Sequence, residues 1–200
     1  MDVHPVIYHK IIDPLLKNSR NRLIRQIEPG QRVIDIASGT GQLVRELGAK
    51  TQFVTGVDSD SSMISYALEK ANGAAQPGIQ FREEDARFLK SFDDQSFDVA
   101  TMSLALHQFK PEDRKKILTT VFRIAEVLFI LDYSFPLPSG YKKSLVYFIE
   151  RMAGKEHFLF FKDYMNQGGA IPIAREAGFS CKYHEISGSG IFTLYRLERL

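Results

Sequence analysis

The sequence predicts an α/β protein with a doubly wound, mostly parallel sheet, and two observations carry this prediction. Apolar runs of strand length alternate with stretches of helical periodicity, an order that builds βαβ units. The first apolar run ends in a Gly-Thr-Gly turn at 39–41, and the next ends in a lone acid, Asp58. A strand, a glycine turn, a helix, a second strand and an acid form a nucleotide-binding crevice.

Five apolar runs are predicted as parallel strands, and three stretches between them as helices. The predicted strands are Val33–Ala37, Gln52–Val57, Ile79–Arg82, Phe97–Ser103 and Val127–Tyr133. The predicted helices lie near Gln42–Leu47, Met63–Ala71 and Glu112–Ala125. Side chains that can cap the second of these helices are Ser59, Asp60, Ser61 and Ser62.

The C-terminal region and two further segments complete the prediction. Lys182–Ile186 and Ile191–Leu197 flank a Ser-Gly-Ser-Gly turn and indicate a β-hairpin. Outside the core lie a helical N-terminal segment, residues 1–29, and a helical insertion, residues 136–165. In the insertion, apolar positions 145, 148, 149 and 152 share one helical face. We expect a single domain, residues 1–200, in which both segments cover the ligand-binding mouth.

Composition restricts the classes of protein that remain possible. With 200 residues, 44% of them hydrophobic, the chain can bury a substantial core. A net charge of +2 argues against extensive contact with nucleic acid. A single cysteine, Cys181, excludes an intrachain disulfide and a cysteine-rich zinc site. Neither a signal pattern nor an apolar run of about 20 residues is present, so we expect a cytoplasmic protein without stable membrane insertion.

The spacing of the glycine turn distinguishes between nucleotide motifs. A dinucleotide fingerprint requires a third glycine at position 44, where this chain has Val44, and a P-loop requires a Gly-Lys-Ser/Thr that is absent. The stretch resembles motif I of the class I S-adenosylmethionine (SAM) methyltransferases, Asp/Glu-x-Gly-x-Gly-x-Gly. Asp35, Gly39 and Gly41 match this motif, and Ala37 replaces its first glycine.

Later segments follow the order of the same family over roughly residues 30 to 135. Asp58 ends the second strand, Asp85-Ala86 ends the third, and Ser96-Phe97-Asp98-Val99-Ala100 resembles the Phe-Asp-x-Val/Ala motif of the fourth. The similarity is greatest to the ubiquinone/menaquinone-biosynthesis type, and Tyr8 and the block 150–157 add weaker matches. The resemblance implies a Rossmann-like sheet of seven strands in the order 3-2-1-4-5-7-6.

The resemblance also implies SAM as the cofactor and a role for each matching residue. Asp35 would receive the ligand ammonium, Asp58 the ribose hydroxyls, and Asp85 with the Ala86 N–H the adenine. Gly39 and Gly41 would leave room for the ligand, since a side chain there would displace it. The full predicted set is Asp35, Ala37, Gly39, Gly41, Asp58, Ser59, Met63, Asp85, Ala86 and Ser103, with Met63 and Phe88 as candidates to flank the adenine.

Methyl transfer from SAM mainly requires alignment of the reactants and exclusion of water. His107 and Tyr8 are the candidate catalytic residues, although His107 also fits a satisfied structural histidine and Tyr8 a packing role in the lid. Tyr8 and Tyr133 are aromatic candidates for contact with the methyl cation equivalent. No metal site is predicted, because Asp132 is a candidate ligand without an evident partner, and activity is expected to need no divalent metal.

The predicted function is methyl transfer from SAM to a small, partly apolar acceptor, with release of S-adenosylhomocysteine (SAH). A non-catalytic SAM- or SAH-binding module and a methyltransferase for macromolecules are the alternatives. The second is disfavoured because Ser103-Leu104-Ala105-Leu106 lacks the Asn/Asp-Pro-Pro-Tyr/Phe block of nucleic-acid amino methyltransferases. The acceptor atom and the choice between a monomer and a homodimer stay open.

Overall fold

Seven strands form one sheet in the order β3-β2-β1-β4-β5-β7-β6. A computed structural model describes residues 16–51, 53–72 and 78–200. The strands are β1 (Arg32–Ile36), β2 (Phe53–Asp58), β3 (Ile79–Glu83), β4 (Phe97–Ser103), β5 (Ala125–Tyr133), β6 (Phe179–Ile186) and β7 (Phe192–Arg199). The first five pair in parallel, and β7 is antiparallel to both β5 and β6. The predicted fold class and strand order are confirmed.

Helices connect the strands and cover the sheet. They are α1 (residues 16–25), α2 (Gln42–Gly48), α3 (Ser61–Asn72), α4 (Pro111–Ile124), α5 (Tyr141–Met152), α6 (Lys155–Asn166) and α7 (Ala170–Glu176), with a 3-10 turn at Leu106–Gln108. Asp60 caps α3, because its Oδ1 accepts the N–H of Ser62 at 2.8 Å. Within the described residues, no helix has the length and apolarity needed to cross a bilayer.

The register of the central strands explains where a ligand can bind. Asp35 of β1 lies opposite Gly56 of β2 on one side and Thr101 of β4 on the other. Because these strands are parallel, their carboxyl ends meet at one edge of the sheet. Asp58 and Ser103 end β2 and β4 at this edge, next to the turn that follows β1.

The insertion folds as two helices, and its apolar face is not the buried one. On α5, Leu145, Phe148 and Met152 are 46%, 62% and 71% exposed. The same helix buries Val146 and the carboxylate of Glu150. Three of the four apolar positions that share one helical face, 145, 148 and 152, are therefore exposed rather than buried. The buried face of α5 carries Glu150, whose carboxylate contacts Tyr133, His107 and His157.

Candidate functional site

The turn between β1 and α2 uses three residues in the left-handed backbone region. Ala37, Gly39 and Gly41 have φ angles of 55°, 52° and 70°. Glycine adopts this conformation without steric cost, whereas an L-residue pays about 1–2 kcal/mol. The turn thus explains why the motif favours glycine at these positions, including position 37, where this chain carries alanine.

The two glycines of the turn meet different surroundings. A Cβ added at Gly39 would have no atom within 4 Å, so this position borders open space. A Cβ added at Gly41 would lie 2.6 Å from ring carbons of Phe81 and 2.9 Å from Cβ of Ala67. Position 41 therefore requires glycine because of packing within the protein. The reason expected from the sequence, that a side chain would displace a ligand, fits the surroundings of Gly39 alone.

The carboxylate of Asp58 joins the end of β2 to the glycine turn. Its Oδ2 accepts the N–H of Gly39 at 2.8 Å, and its Oδ1 accepts the N–H of Asp60 at 2.9 Å. Burial raises the pKa of Asp58, although these backbone N–H groups act in the opposite direction. Each carboxylate oxygen retains capacity for a further donor, so Asp58 can accept hydroxyl groups while it holds the turn in place.

A shallow cleft opens beside the turn at the carboxyl ends of β1 and β4. Its wall consists of Leu16, Arg20, Asp35, Ala37, Ser38, Gly39, Thr40, Gln42, Leu43 and Ser103. The hydroxyl oxygens of Ser38 and Ser103 are buried and have no hydrogen-bond partner among the described residues. Unpartnered hydroxyls in the wall of a cleft fit a polar ligand such as the amino-acid part of SAM.

Asp35 is the acid at the base of this cleft and is almost fully buried. Its Oδ1 accepts the Thr101 hydroxyl at 2.6 Å. Burial raises the pKa of Asp35 to about 7, against the effect of the Thr101 hydrogen bond. A cationic group placed against this carboxylate would favour its ionised form, which suits the ammonium of SAM.

Arg20 of α1 is a wall residue that the sequence analysis did not identify. Its guanidinium is buried, and its Nε donates to Glu46 Oε2 at 3.1 Å. It brings a positive charge into the wall of the same cleft as Asp35. Helical periodicity predicts that α1 exists but does not reveal which of its cations faces the sheet.

The predicted adenine side holds an ion pair that the sequence analysis did not anticipate. Asp85 Oδ2 accepts from Arg87 Nη2 at 2.6 Å, and this hydrogen bond lowers the pKa of Asp85. Phe88 is 43% exposed, with Lys116 Nζ 3.9 Å from its ring centre. Met63 is half-buried, Ala86 is buried and Ser59 is exposed. An adenine at this position would share Asp85 with Arg87.

His107 lies in a separate, buried cluster rather than in the wall of the cleft. Its Nδ1 donates to Asp132 Oδ1 at 2.6 Å, and its Nε2 lies 3.5 Å from Glu150 Oε2. His157 Nε2 is 2.6 Å from the same Glu150 oxygen. Glu150 Oε1 accepts the Tyr133 hydroxyl at 2.6 Å. His107, Tyr133 and Asp132 are candidates from the sequence, whereas their link to Glu150 and His157 is visible only in the fold.

The charges of this cluster determine the protonation of its members. Burial lowers the pKa of His107, but the carboxylates of Asp132 and Glu150 outweigh it and raise the value to about 10. Burial alone would raise the pKa of Glu150, yet the neighbouring histidines hold it far below its usual range. In the absence of another cation, the cluster therefore balances its acids with imidazolium.

The lid over the ligand-binding mouth stays a prediction. Tyr8 lies outside the described residues, as does the first half of the N-terminal segment. The described part of that segment does border the cleft, through Leu16 and Arg20. The insertion packs over the 3-10 turn that carries His107, since Arg114 Nη2 donates to the Phe160 carbonyl at 2.7 Å and to the His107 carbonyl at 3.4 Å.

Comparison with known proteins agrees with this geometry. A family model described as "Methyltransferase domain" matches residues 33–126. The ubiquinone/menaquinone biosynthesis C-methyltransferase UbiE of Teredinibacter turnerae is 27% identical over 85% of this chain and 75% of its own length. The putative methyltransferase YqeM of Bacillus subtilis is 32% identical over 56% of this chain and 47% of its own length.

Solved structures share the whole architecture. A SAM-dependent methyltransferase from Aquifex aeolicus superposes with a TM-score of 0.72 at 17% identity, covering 98% of this chain and all of that one. The magnesium protoporphyrin IX methyltransferase ChlM of Synechocystis PCC 6803, with bound SAM, gives 0.65 at 15% identity over 96% of this chain and 83% of its own. At these identities the likeness concerns the fold.

Proposed function

We propose that this class I SAM-dependent methyltransferase transfers the methyl group of SAM to a small, partly apolar acceptor and releases SAH. The matching methyltransferase domain, the relatives and the fold support the activity and the cofactor. The observation that carries the proposal for this chain is the link from Asp58 to the N–H of Gly39, which joins the ribose-binding acid to the glycine turn.

The residues of the cleft divide the binding of SAM between them. Asp58 accepts the ribose hydroxyls, and Asp35 faces the ammonium. Arg20, which pairs with Glu46, lines the same cleft, and the hydroxyls of Ser38 and Ser103 offer polar contacts. SAM brings a methyl group that is already activated, so these residues contribute mainly alignment, worth roughly 7–11 kcal/mol of the barrier.

For the acceptor, we propose an aromatic ring of the quinone or quinol type, methylated at carbon. Several relatives carry the name ubiquinone/menaquinone biosynthesis C-methyltransferase. The insertion offers exposed apolar side chains that suit a flat ring, among them Tyr141, Phe148 and Met152 of α5. We assign His107 a positioning role rather than proton transfer, because its side chain is only 1% exposed.

The test is SAH formation in the full-length protein with SAM and a panel of acceptors. The panel contains short-chain quinols, simple phenols, a DNA oligonucleotide and an unrelated protein. We expect SAH to form with the quinols and to be lost in Asp58→Ala but not in the surface control Asp94→Ala. Binding of SAM without SAH formation from any class would instead favour a non-catalytic SAM-binding module. Transfer to the oligonucleotide or the protein would contradict a small acceptor.

A further inference from the structure

Three side chains that can bind a metal ion meet under the insertion. They come from three different elements: His107 from the 3-10 turn after β4, Glu150 from α5 and His157 from α6. The two imidazole Nε2 atoms and a Glu150 oxygen all lie within 4.8 Å of one another. Ligand atoms about 2.1 Å from one zinc ion are roughly 3–4 Å apart, so small side-chain rotations bring this set to coordination distance.

Both histidine nitrogens lie at ion-pair distance from Glu150 Oε2, but neither pair has hydrogen-bond geometry. His107 Nε2, Glu150 Oε2 and His157 Nε2 are buried and have no hydrogen-bond partner in the described part of the chain. His157 Nε2 is 2.6 Å from Glu150 Oε2, yet this pair is not in hydrogen-bond geometry. Unpartnered buried polar atoms are costly, and a shared cation between them would remove that cost for all three.

Two of the three ligands are already oriented by an outer partner. Asp132, which is fully buried, accepts from His107 Nδ1, and this leaves the lone pair of Nε2 directed at the cluster. The Tyr133 hydroxyl donates to the Glu150 oxygen that does not face the histidines. Metal-binding histidines usually donate their other ring N–H to a carboxylate or carbonyl, and metal-binding carboxylates usually accept a further hydrogen bond.

The charge of the surroundings also suits a divalent cation. Asp132 and Glu150 together contribute two negative charges, and histidines that give up their proton to bind a metal contribute none. Arg114, which donates to the His107 carbonyl, is balanced by Asp163, whose Oδ1 lies 2.6 Å from its Nη1. One divalent ion would therefore neutralise the buried acids of the cluster.

We propose that His107, Glu150 and His157 form a binding site for a divalent transition-metal ion of the zinc class. Two imidazoles and one carboxylate are a ligand set that zinc and neighbouring first-row metals accept. A bound ion would join α5 and α6 to the turn after β4, fixing the helices that cover this side of the sheet. The sequence predicts no metal site because no acid cluster has metal-ligand spacing and Asp132 has no evident partner, whereas the fold brings His107 to Glu150 and His157.

The site can be tested by zinc binding to the full-length protein after removal of metal with a chelator. We expect one equivalent of Zn²⁺ per chain by equilibrium dialysis with elemental analysis. Glu150→Gln and His157→Gln should weaken binding by at least about 100-fold, since loss of an outer partner alone costs about 10–100-fold. Tyr133→Phe, which removes only the outer donor, should fall within that smaller range. His184→Gln, at an exposed histidine of β6, should bind as the wild type does.

Circular dichroism of each variant without metal checks that the fold is retained, and His157→Gln, at the most exposed of the three positions, is the variant least expected to unfold. If the wild type binds no stoichiometric zinc ion, the proposal is overturned, and the acids of the cluster are balanced by protonated histidine alone. The proposal would also be overturned if the wild type, Glu150→Gln and His157→Gln all bound one zinc ion equally well, because that ion would then lie elsewhere. The readout is binding, so neither outcome depends on the acceptor proposed above.

Discussion

The cleft beside the glycine turn and the buried histidine cluster both contain acids near the same edge of the sheet, but the charges of these acids are balanced differently. In the cleft, Asp35 has a pKa raised by burial, and unpartnered hydroxyls line the wall. In the cluster, Asp132 and Glu150 each contact a histidine. The cleft is suited to gain a cationic ligand, whereas the cluster contributes to holding the fold together. Substitutions in the two regions should therefore affect different measurements.

The largest effect should come from Asp132→Ala in the cluster. The change removes the acceptor of three donors, His107 Nδ1 and the N–H groups of His107 and Tyr133. Breaking a buried ion pair from one side costs about 3–5 kcal/mol of unfolding free energy. Urea denaturation followed by circular dichroism measures this loss.

The matched control for that variant is Asp98→Ala. Asp98 lies near the amino end of β4, whereas Asp132 lies near the carboxyl end of the neighbouring β5. Asp98 pairs with Arg32 at 2.7 Å, but both side chains are more than one-third exposed. An exposed pair contributes about 0–1 kcal/mol. Equal losses for the two variants would contradict the claim that the cluster stabilises the fold through buried charge.

A smaller difference in stability is expected between alanine substitutions at the two glycines of the turn. Gly41→Ala should destabilise the protein by about 1–3 kcal/mol more than Gly39→Ala, because only its Cβ overlaps Phe81 and Ala67. Both variants share the cost of a left-handed backbone for alanine. Denaturation of the two variants tests the difference, and equal stabilities would show that position 41 can relax.

The two regions also differ in how much of them the sequence reveals. Asp35, Gly39 and Asp58 are close along the chain, and local spacing predicts that a strand, a turn and a strand bring them together. His107, Glu150 and His157 are assembled by the packing of α5 and α6, for which the sequence offers only helical periodicity. Apolar periodicity groups Leu145, Phe148 and Met152 on one face of α5, which is exposed, and it does not reveal that the helix buries Glu150.

A still smaller effect is expected from pH in the cleft. Because the pKa of Asp35 is raised to about 7, its carboxyl becomes protonated below that pH and loses attraction for an ammonium group. SAM affinity should fall about tenfold from about pH 8 to about pH 6. The same shift lowers the unfolding free energy as the pH rises from about 4 through 7, since the unfolded state ionises first. Calorimetry at several pH values measures the first effect, and denaturation measures the second.

Asp35→Asn is the control for both pH effects, because asparagine keeps the shape and does not titrate. Asp58, whose pKa burial also raises, remains in this variant. A pH dependence of SAM binding that persists unchanged in Asp35→Asn would assign it to Asp58 or to the ligand.

The most direct test of the account is calorimetric titration of SAM and SAH into the wild type and Asp58→Ala. The wild type should bind both ligands with micromolar-range affinity, and the variant should lose about 2–3 kcal/mol for each, since a carboxylate that accepts two hydroxyls is removed. The surface variant Asp94→Ala should bind as the wild type does. Unchanged affinity in Asp58→Ala would contradict the assignment of the cleft beside the glycine turn as the SAM site.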